Sequence, residues 1–192
     1  MGISRRRFRR ICIQGGIEMI THEEFKEELE VVDKQIMFRN LRLIFCPADW
    51  LTGQEKELSN VLGSNALSML FQKAGEFCHS ELASIIVDSN PDASTEEQIK
   101  AFLSYLKASG WGAAELVEFS LDPVKIGIKV TNSYVVDLMQ ADEPVCYAYG
   151  GVLQAITVFL EEHNLETELE YTETKCIAKG DPHCEFILKS LV

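Results

Sequence analysis

No apolar run in this chain approaches the ~20 residues that a membrane-spanning helix requires, so an integral membrane segment is not expected. Positive charge is also scarce: 18 Lys and Arg stand against 30 Asp and Glu, for a formal net charge of −12. That balance argues against a broad nucleic-acid surface outside the extreme N-terminus. A Gly-x-Gly-x-x-Gly dinucleotide fingerprint is missing, and no proton donor stands paired with a hydride source. A reductase therefore has little visible support. Internal repeats and low-complexity tracts are absent too, so 192 residues with 46% apolar content read as one domain around one sizeable core.

Residues 1–20 read as a basic, disordered extension, and 21–192 as the domain. The opening Ser4-Arg5-Arg6-Arg7-Phe8 is similar to a twin-arginine export signal. The stretch after it is short, contains Glu18 and lacks a small-residue cleavage site, and Arg6 breaks the myristoylation pattern. The cluster from Arg5 to Arg10 offers contact with an anionic surface, hence a peripheral membrane association. Six cysteines (Cys12, Cys46, Cys78, Cys146, Cys176 and Cys184) are too few for a disulfide scaffold in so core-rich a chain. A reducing cytoplasm is the expected setting.

Thr21 and Glu24 form a capping box that starts a helix expected over 21–34, with Phe25, Leu29 and Val32 at helical spacing. A strand follows over 40–45, and Trp50 and Leu51 lead into a loop. Leu67, Leu70, Ala74, Phe77, Cys78, Leu82 and Ile85 repeat at three and four, which predicts a long amphipathic helix over 64–87. Ser94 and Glu97 cap the next helix, and Gly110 stops it. Two strands are expected over 114–119 and 124–131, joined at Asp122-Pro123. The second alternates Val124, Ile126, Ile128 and Val130 against polar or small neighbours, as an antiparallel strand with one covered face does. A helix over 144–160 and a hairpin of strands over 168–177 and 184–188 close the chain. The order predicts an α+β domain: an antiparallel sheet with helices packed on one face.

The hairpin is the most informative segment. Gly180, Asp181 and Pro182 form its turn, and centring it near Gly180 sets Cys176 opposite Cys184, with Cβ atoms about 4.5–5.5 Å apart. Such a pair can share a metal, form a disulfide or simply pack.

Gly110-Trp111-Gly112 with the strand pair after it, Asn132-Ser133-Tyr134, and Pro144-Val145-Cys146-Tyr147 through Gly150-Gly151 occur in that order. They lead to Glu173-x-x-Cys176-x3-Gly180-Asp181-x2-Cys184-x-Phe186. Together these segments resemble the vinyl-4-reductase domain family over 39–192, most specifically over 144–186. The resemblance implies the NO-signalling and Golgi-transport type of ligand-binding fold, shared with TRAPP tethering subunits. It implies a stand-alone sensor or carrier that binds a small hydrophobic ligand, forms a homodimer and passes its signal to an unknown protein partner. Alternatives from the same family are a tetrapyrrole-handling or photosystem-assembly factor holding a chlorophyll precursor, a protein adaptor without ligand, and a vinyl reductase.

In the phenol sensors of that family, cysteines and a glutamate hold zinc. The matching residues are Glu173, Cys176 and Cys184, with Cys146 as the fourth ligand and His183 as its substitute, because the sensors' further cysteine near 150–155 has no counterpart here. Thiolates and a carboxylate suit structural Zn²⁺. Residues three apart on a regular strand face opposite sides, however, so Glu173 and Cys176 need a bulge to converge. Tyr134 falls where the sensors have a pocket tryptophan, and is read as an aromatic wall or as core filling. Trp111 lines the pocket mouth or is a buried structural residue. His79 is a ligand for a tetrapyrrole metal or a satisfied helical histidine. The sensors' phenol-binding histidine has no counterpart before Trp111, so phenol specificity is not carried over.

Overall fold

The computed structural model describes residues 19–39, 41–135, 140–165 and 168–191, without the side chains of 76–79. The basic extension over 1–18 lies outside the described residues, as does the His79 side chain. The central strand, Val124–Thr131, buries Val124, Ile126, Ile128 and Val130, while Lys125 and Lys129 between them stay partly exposed. Numbered in chain order, the strands are β1 (Leu29–Val32), β2 (Gln35–Phe38), β3 (Leu41–Leu43), β4 (Ala113–Leu121), β5 (Val124–Thr131), β6 (Leu169–Lys175) and β7 (Cys184–Ser190). The helices are α1 (His22–Glu27), α2 (Ala48–Leu62), α3 (Ser64–Ser89), α4 (Thr95–Ala108), α5 (Tyr147–Leu153) and α6 (Ile156–Glu162). The main sheet is antiparallel in the order β4-β5-β7-β6, and β1-β2-β3 form a separate three-stranded meander.

The period-2 pattern continues across the main sheet. Cys184, Phe186 and Leu188 of β7 pair with Val130, Ile128 and Ile126, and all six are fully buried. The other face carries charge, with Lys125 bound to Glu118 at 2.6 Å and Lys175 to Glu185 at 2.9 Å. One face is therefore core and the other solvent, as alternation requires. Ile99, Phe102, Leu103 and Leu106 of α4 fill that core, where Phe102 meets Phe159 of α6 edge-on at 5.8 Å. No helix among the described residues is long and apolar enough to cross a membrane.

Both capping boxes form, at Thr21 and at Ser94. Three expectations need correction. The helix expected over 21–34 stops at Glu27; Asp33 and Lys34 (φ 49° and 65°) make a tight turn, and Leu29–Val32 pairs with Gln35–Phe38 as a hairpin. Val31 and Val32 favour strand, and packing of Phe38 against Phe25 and Tyr105, at 4.9 and 5.3 Å, fixes the pairing. Trp50 and Leu51 lie in α2 rather than in a loop. The helix expected over 144–160 starts at Tyr147 and is divided into α5 and α6 around Gln154 and Ala155.

Glycines let α5 sit against its neighbours. A methyl group on Gly75 would overlap the Gly151 carbonyl, one on Gly151 would overlap the Phe71 carbonyl, and one on Gly150 would enter the Tyr171 ring. α3 and α5 thus touch backbone to backbone. Gly151→Ala is expected to cost about 3 kcal/mol by overpacking. Gly53→Ala in α2, where nothing lies within 4 Å of the added methyl, should be neutral or gain up to ~1 kcal/mol. Urea unfolding of the two variants tests the contrast.

Candidate functional site

The β6 and β7 register shifts between Glu173 and Lys175, so that Glu173 faces Phe186, Lys175 faces Glu185 and Thr174 is the extra residue. This bulge brings Glu173 and Cys176 to one side, as their spacing demanded. Thr174 turns outward, its hydroxyl donating to Glu185 Oε1 at 2.7 Å. Beyond β6 a 3-10 turn over Ile177–Lys179 ends on Gly180 at φ 93°, a conformation that favours glycine. Asp181 folds back and accepts the Cys176 N–H at 2.8 Å. The turn thereby sets Cys176 beside Cys184, whose Sγ accepts the Ile177 N–H at 3.4 Å.

Cys146, just before α5, completes the group. Its Sγ lies 3.8 Å from that of Cys176 and 3.6 Å from that of Cys184. One ligand atom from each of Cys146, Glu173, Cys176 and Cys184 falls within 4.8 Å of every other. All three thiols are buried, and the described cysteines are unbridged. Glu173 Oε2 accepts the Cys146 N–H at 3.0 Å, while its Oε1 is buried with no hydrogen-bond partner. His183 pairs with Glu185 at 3.6 Å instead of joining the cluster.

The electrostatics are those of a crowded anion site. Burial, followed by the neighbouring Cys176 thiolate, pushes the Glu173 carboxyl up to about 8. Hydrogen bonds from Cys146 and then Cys184 hold the Cys176 thiol down to about 2. The Cys146 thiol is pushed up by the same contacts, with Cys176 first, and by burial. Three sulfurs share one negative charge; a bound divalent cation lets all of them ionise, because thiolate is the ligating form.

Trp111 and Tyr134, both half-buried, come together edge-on at 5.5 Å. Trp111 meets Tyr149 at 6.0 Å, and Tyr149 stacks on Phe186 at 5.4 Å. The aromatic group therefore runs from Tyr134 to the strand that carries Cys184.

Glu55 escaped the sequence reading. It lies in α2, is fully buried, and accepts the Ala148 N–H at 2.6 Å and the Tyr134 hydroxyl at 3.0 and 3.2 Å. Burial pushes its carboxyl up to about 7, opposed by the Ala148 N–H and then by the Tyr134 hydroxyl. Periodicity points the wrong way in this helix: the buried positions are Thr52 and Glu55, whereas Trp50, Val61 and Leu62 are exposed. Beside Glu55 a cleft of about 230 Å³ opens between α2 and the start of α5, where Tyr147 bonds to Ser59.

A family model for the vinyl-4-reductase domain matches residues 126–190, a span that includes Cys146, Glu173, Cys176 and Cys184. No curated protein sequence matches the chain. Among solved structures, the phenol-responsive sensory domain of the transcription activator PoxR, with phenol, has a TM-score of 0.72 at 18% identity, covering 88% of each chain. A trafficking protein particle complex subunit 3 from Naegleria fowleri, covalently bound to palmitic acid, has a TM-score of 0.51 at 16% identity, covering 76% of this chain and 95% of that one. A vinyl-4-reductase family protein from Methanocaldococcus jannaschii has a TM-score of 0.50 at 16% identity, covering 80% and 86%. At these identities the likeness is one of fold, and it agrees with the expected α+β architecture.

The raised Glu55 carboxyl makes stability depend on pH. Its folded value of about 7 exceeds the ordinary 4.5, so folding favours the protonated form. The contribution is fully present below pH ~4.5 and is lost as pH rises through ~7, by about 3 kcal/mol in all. Urea unfolding of metal-free protein between pH 5 and 8 should follow that slope, and Glu55→Gln should flatten its part of it.

Proposed function

Residues 126–190 being a vinyl-4-reductase domain, we propose that the chain is a sensor or carrier for a small hydrophobic ligand, and that Cys146, Glu173, Cys176 and Cys184 hold a structural Zn²⁺ beside the binding site. The observation that carries the metal reading is the Glu173 carboxylate, which spends one oxygen on the Cys146 N–H and leaves the other buried and unpaired among three thiols. An unpaired buried carboxylate oxygen is costly, and a cation removes that cost. Three sulfurs and one oxygen suit Zn²⁺ in donor softness and number, and four protein ligands close the coordination sphere as in structural sites. The metal's role is then mechanical: it would tie the β6–β7 turn to the start of α5.

The aromatic group of Trp111, Tyr134, Tyr149 and Phe186 supports a flat or apolar ligand. The PoxR sensory domain was solved with phenol and the Naegleria fowleri subunit with palmitic acid; both are small molecules with an apolar body. Native mass spectrometry of protein from its own host, against a denatured sample, should find a small-molecule mass and one zinc per chain. Pigment absorbance in the same preparation would point instead to a tetrapyrrole. Cys176→Ser and Glu173→Gln should each weaken zinc by at least ~10-fold, and chelation should lower the melting temperature. Purified protein that takes up no zinc overturns the metal reading.

Self-association is favoured by a separate observation. Trp50, Val61, Leu62, Met69 and Leu70 are exposed on α2 and the first half of α3, Val61 by 79% and Met69 by 69%. Apolar surface of that kind marks contact with a protein, which suits a homodimer and would equally serve an adaptor. Sedimentation should give a dimer, and Val61→Glu with Met69→Glu should yield a folded monomer.

A further inference from the structure

We propose that Glu55 selects the ligand's head group: a molecule in the cleft between α2 and the start of α5 takes the place that the Tyr134 hydroxyl holds on this carboxylate, so the site accepts hydrogen-bond donors and rejects anions. The inference rests on the ligand-binding reading above and deepens it.

Glu55 is the one charged residue that is fully buried among the described residues. A buried carboxylate needs compensation, and an apolar side chain would fasten the helix at less cost. Its partners among the described residues are two neutral donors. The Ala148 N–H, at 2.6 Å from Oε1, belongs to the backbone of α5 and is fixed. The Tyr134 hydroxyl reaches both oxygens, at 3.0 and 3.2 Å, and is the sole donor to Oε2 among the described residues. Its ring is half-buried and meets Trp111 by an edge, so a side-chain rotation exchanges this partner whereas the backbone donor stays.

The cleft of about 230 Å³ has Glu55 as its closed floor and is lined further by Ser59, Gln140, Val145 and Tyr147. Three carboxylates, Glu143, Glu173 and Glu55, act on the Tyr147 hydroxyl there. Lys56 is the one cationic residue of the lining. An incoming carboxylate meets like charge and finds Oε2 unable to donate to it, whereas a hydroxyl or ammonium replaces the tyrosine donor without leaving Glu55 unpaired.

Titrating the zinc-loaded full chain with benzyl alcohol, benzylamine, toluene and benzoate tests this. The alcohol and the amine should bind at least about 10-fold tighter than toluene or benzoate, by the asymmetry between a satisfied and an orphaned buried group. Tyr134→Phe should tighten benzyl alcohol several-fold, since it removes the internal competitor; a purely structural tyrosine would give the opposite sign. Glu55→Gln should erase the preference of benzylamine over benzoate. Benzoate binding as tightly as benzyl alcohol, or Tyr134→Phe leaving the alcohol unchanged or weaker, overturns the proposal. Toluene matching benzyl alcohol overturns it while sparing the hydrophobic-ligand reading, and failure of all four probes overturns both. Should Glu55→Gln fail to fold, Tyr134→Phe decides alone.

Discussion

Two buried carboxylates meet the first turn of α5: Glu173 takes the Cys146 N–H at 3.0 Å and Glu55 the Ala148 N–H at 2.6 Å. The first N–H groups of a helix have no partner within it and attract negative charge. A helix of seven residues cannot hold itself in water; its position comes from what grips it. Here the grip comes from opposite directions, the sheet through Glu173 and α2 through Glu55. With α5 so placed, Gly150 lies under Tyr171, Gly151 under Phe71, and Cys146 between the two hairpin cysteines.

The aromatic group and the sulfur cluster are built from the same elements. Tyr149 of α5 stacks on Phe186 of β7, two residues from Cys184, and its hydroxyl is buried without a hydrogen-bond partner. A metal that fixes Cys146 against Cys184 would thereby fix the spacing of Tyr149 and Phe186. Any occupant beside Trp111 that prefers one spacing would in turn favour metal binding, because such coupling is reciprocal.

Local signals were legible in the sequence and long-range ones were not. The capping boxes at Thr21 and Ser94 involve side chains three residues apart and need no tertiary information. The alternation along Val124–Thr131 and the turn residues of the last hairpin carry their own geometry, so the main sheet could be read directly. The spacing of Glu173 and Cys176 even called for the bulge that Thr174 supplies. The first hairpin was hidden because Asp33-Lys34 turns without glycine or asparagine, and helical spacing of Phe25, Leu29 and Val32 mimicked a longer helix. Helix α2 was hidden because its buried side chains are polar and its apolar ones exposed. Glu55 gains meaning through Tyr134 and Ala148, 79 and 93 positions away, and no local pattern encodes such a meeting. The division between α5 and α6 has neither glycine nor proline at Gln154-Ala155 to announce it.

The bare contact between Gly75 and Gly151 has a mechanical side. Side chains normally cushion crossing helices, yielding by rotamer changes when one of them shifts. Two backbones in contact have no such compliance, so a tilt of α5 passes undamped into α3. α3 is a rod of 26 residues, about 39 Å long, and Gly75 is its fulcrum. Ser64 lies about 16 Å from that fulcrum, so a tilt of about 10° carries this end through about 3 Å by simple lever geometry. The swing sweeps the row of Met69 and Leu70, which faces outward. A change of a few degrees at the cysteine cluster is therefore magnified where another protein would feel it.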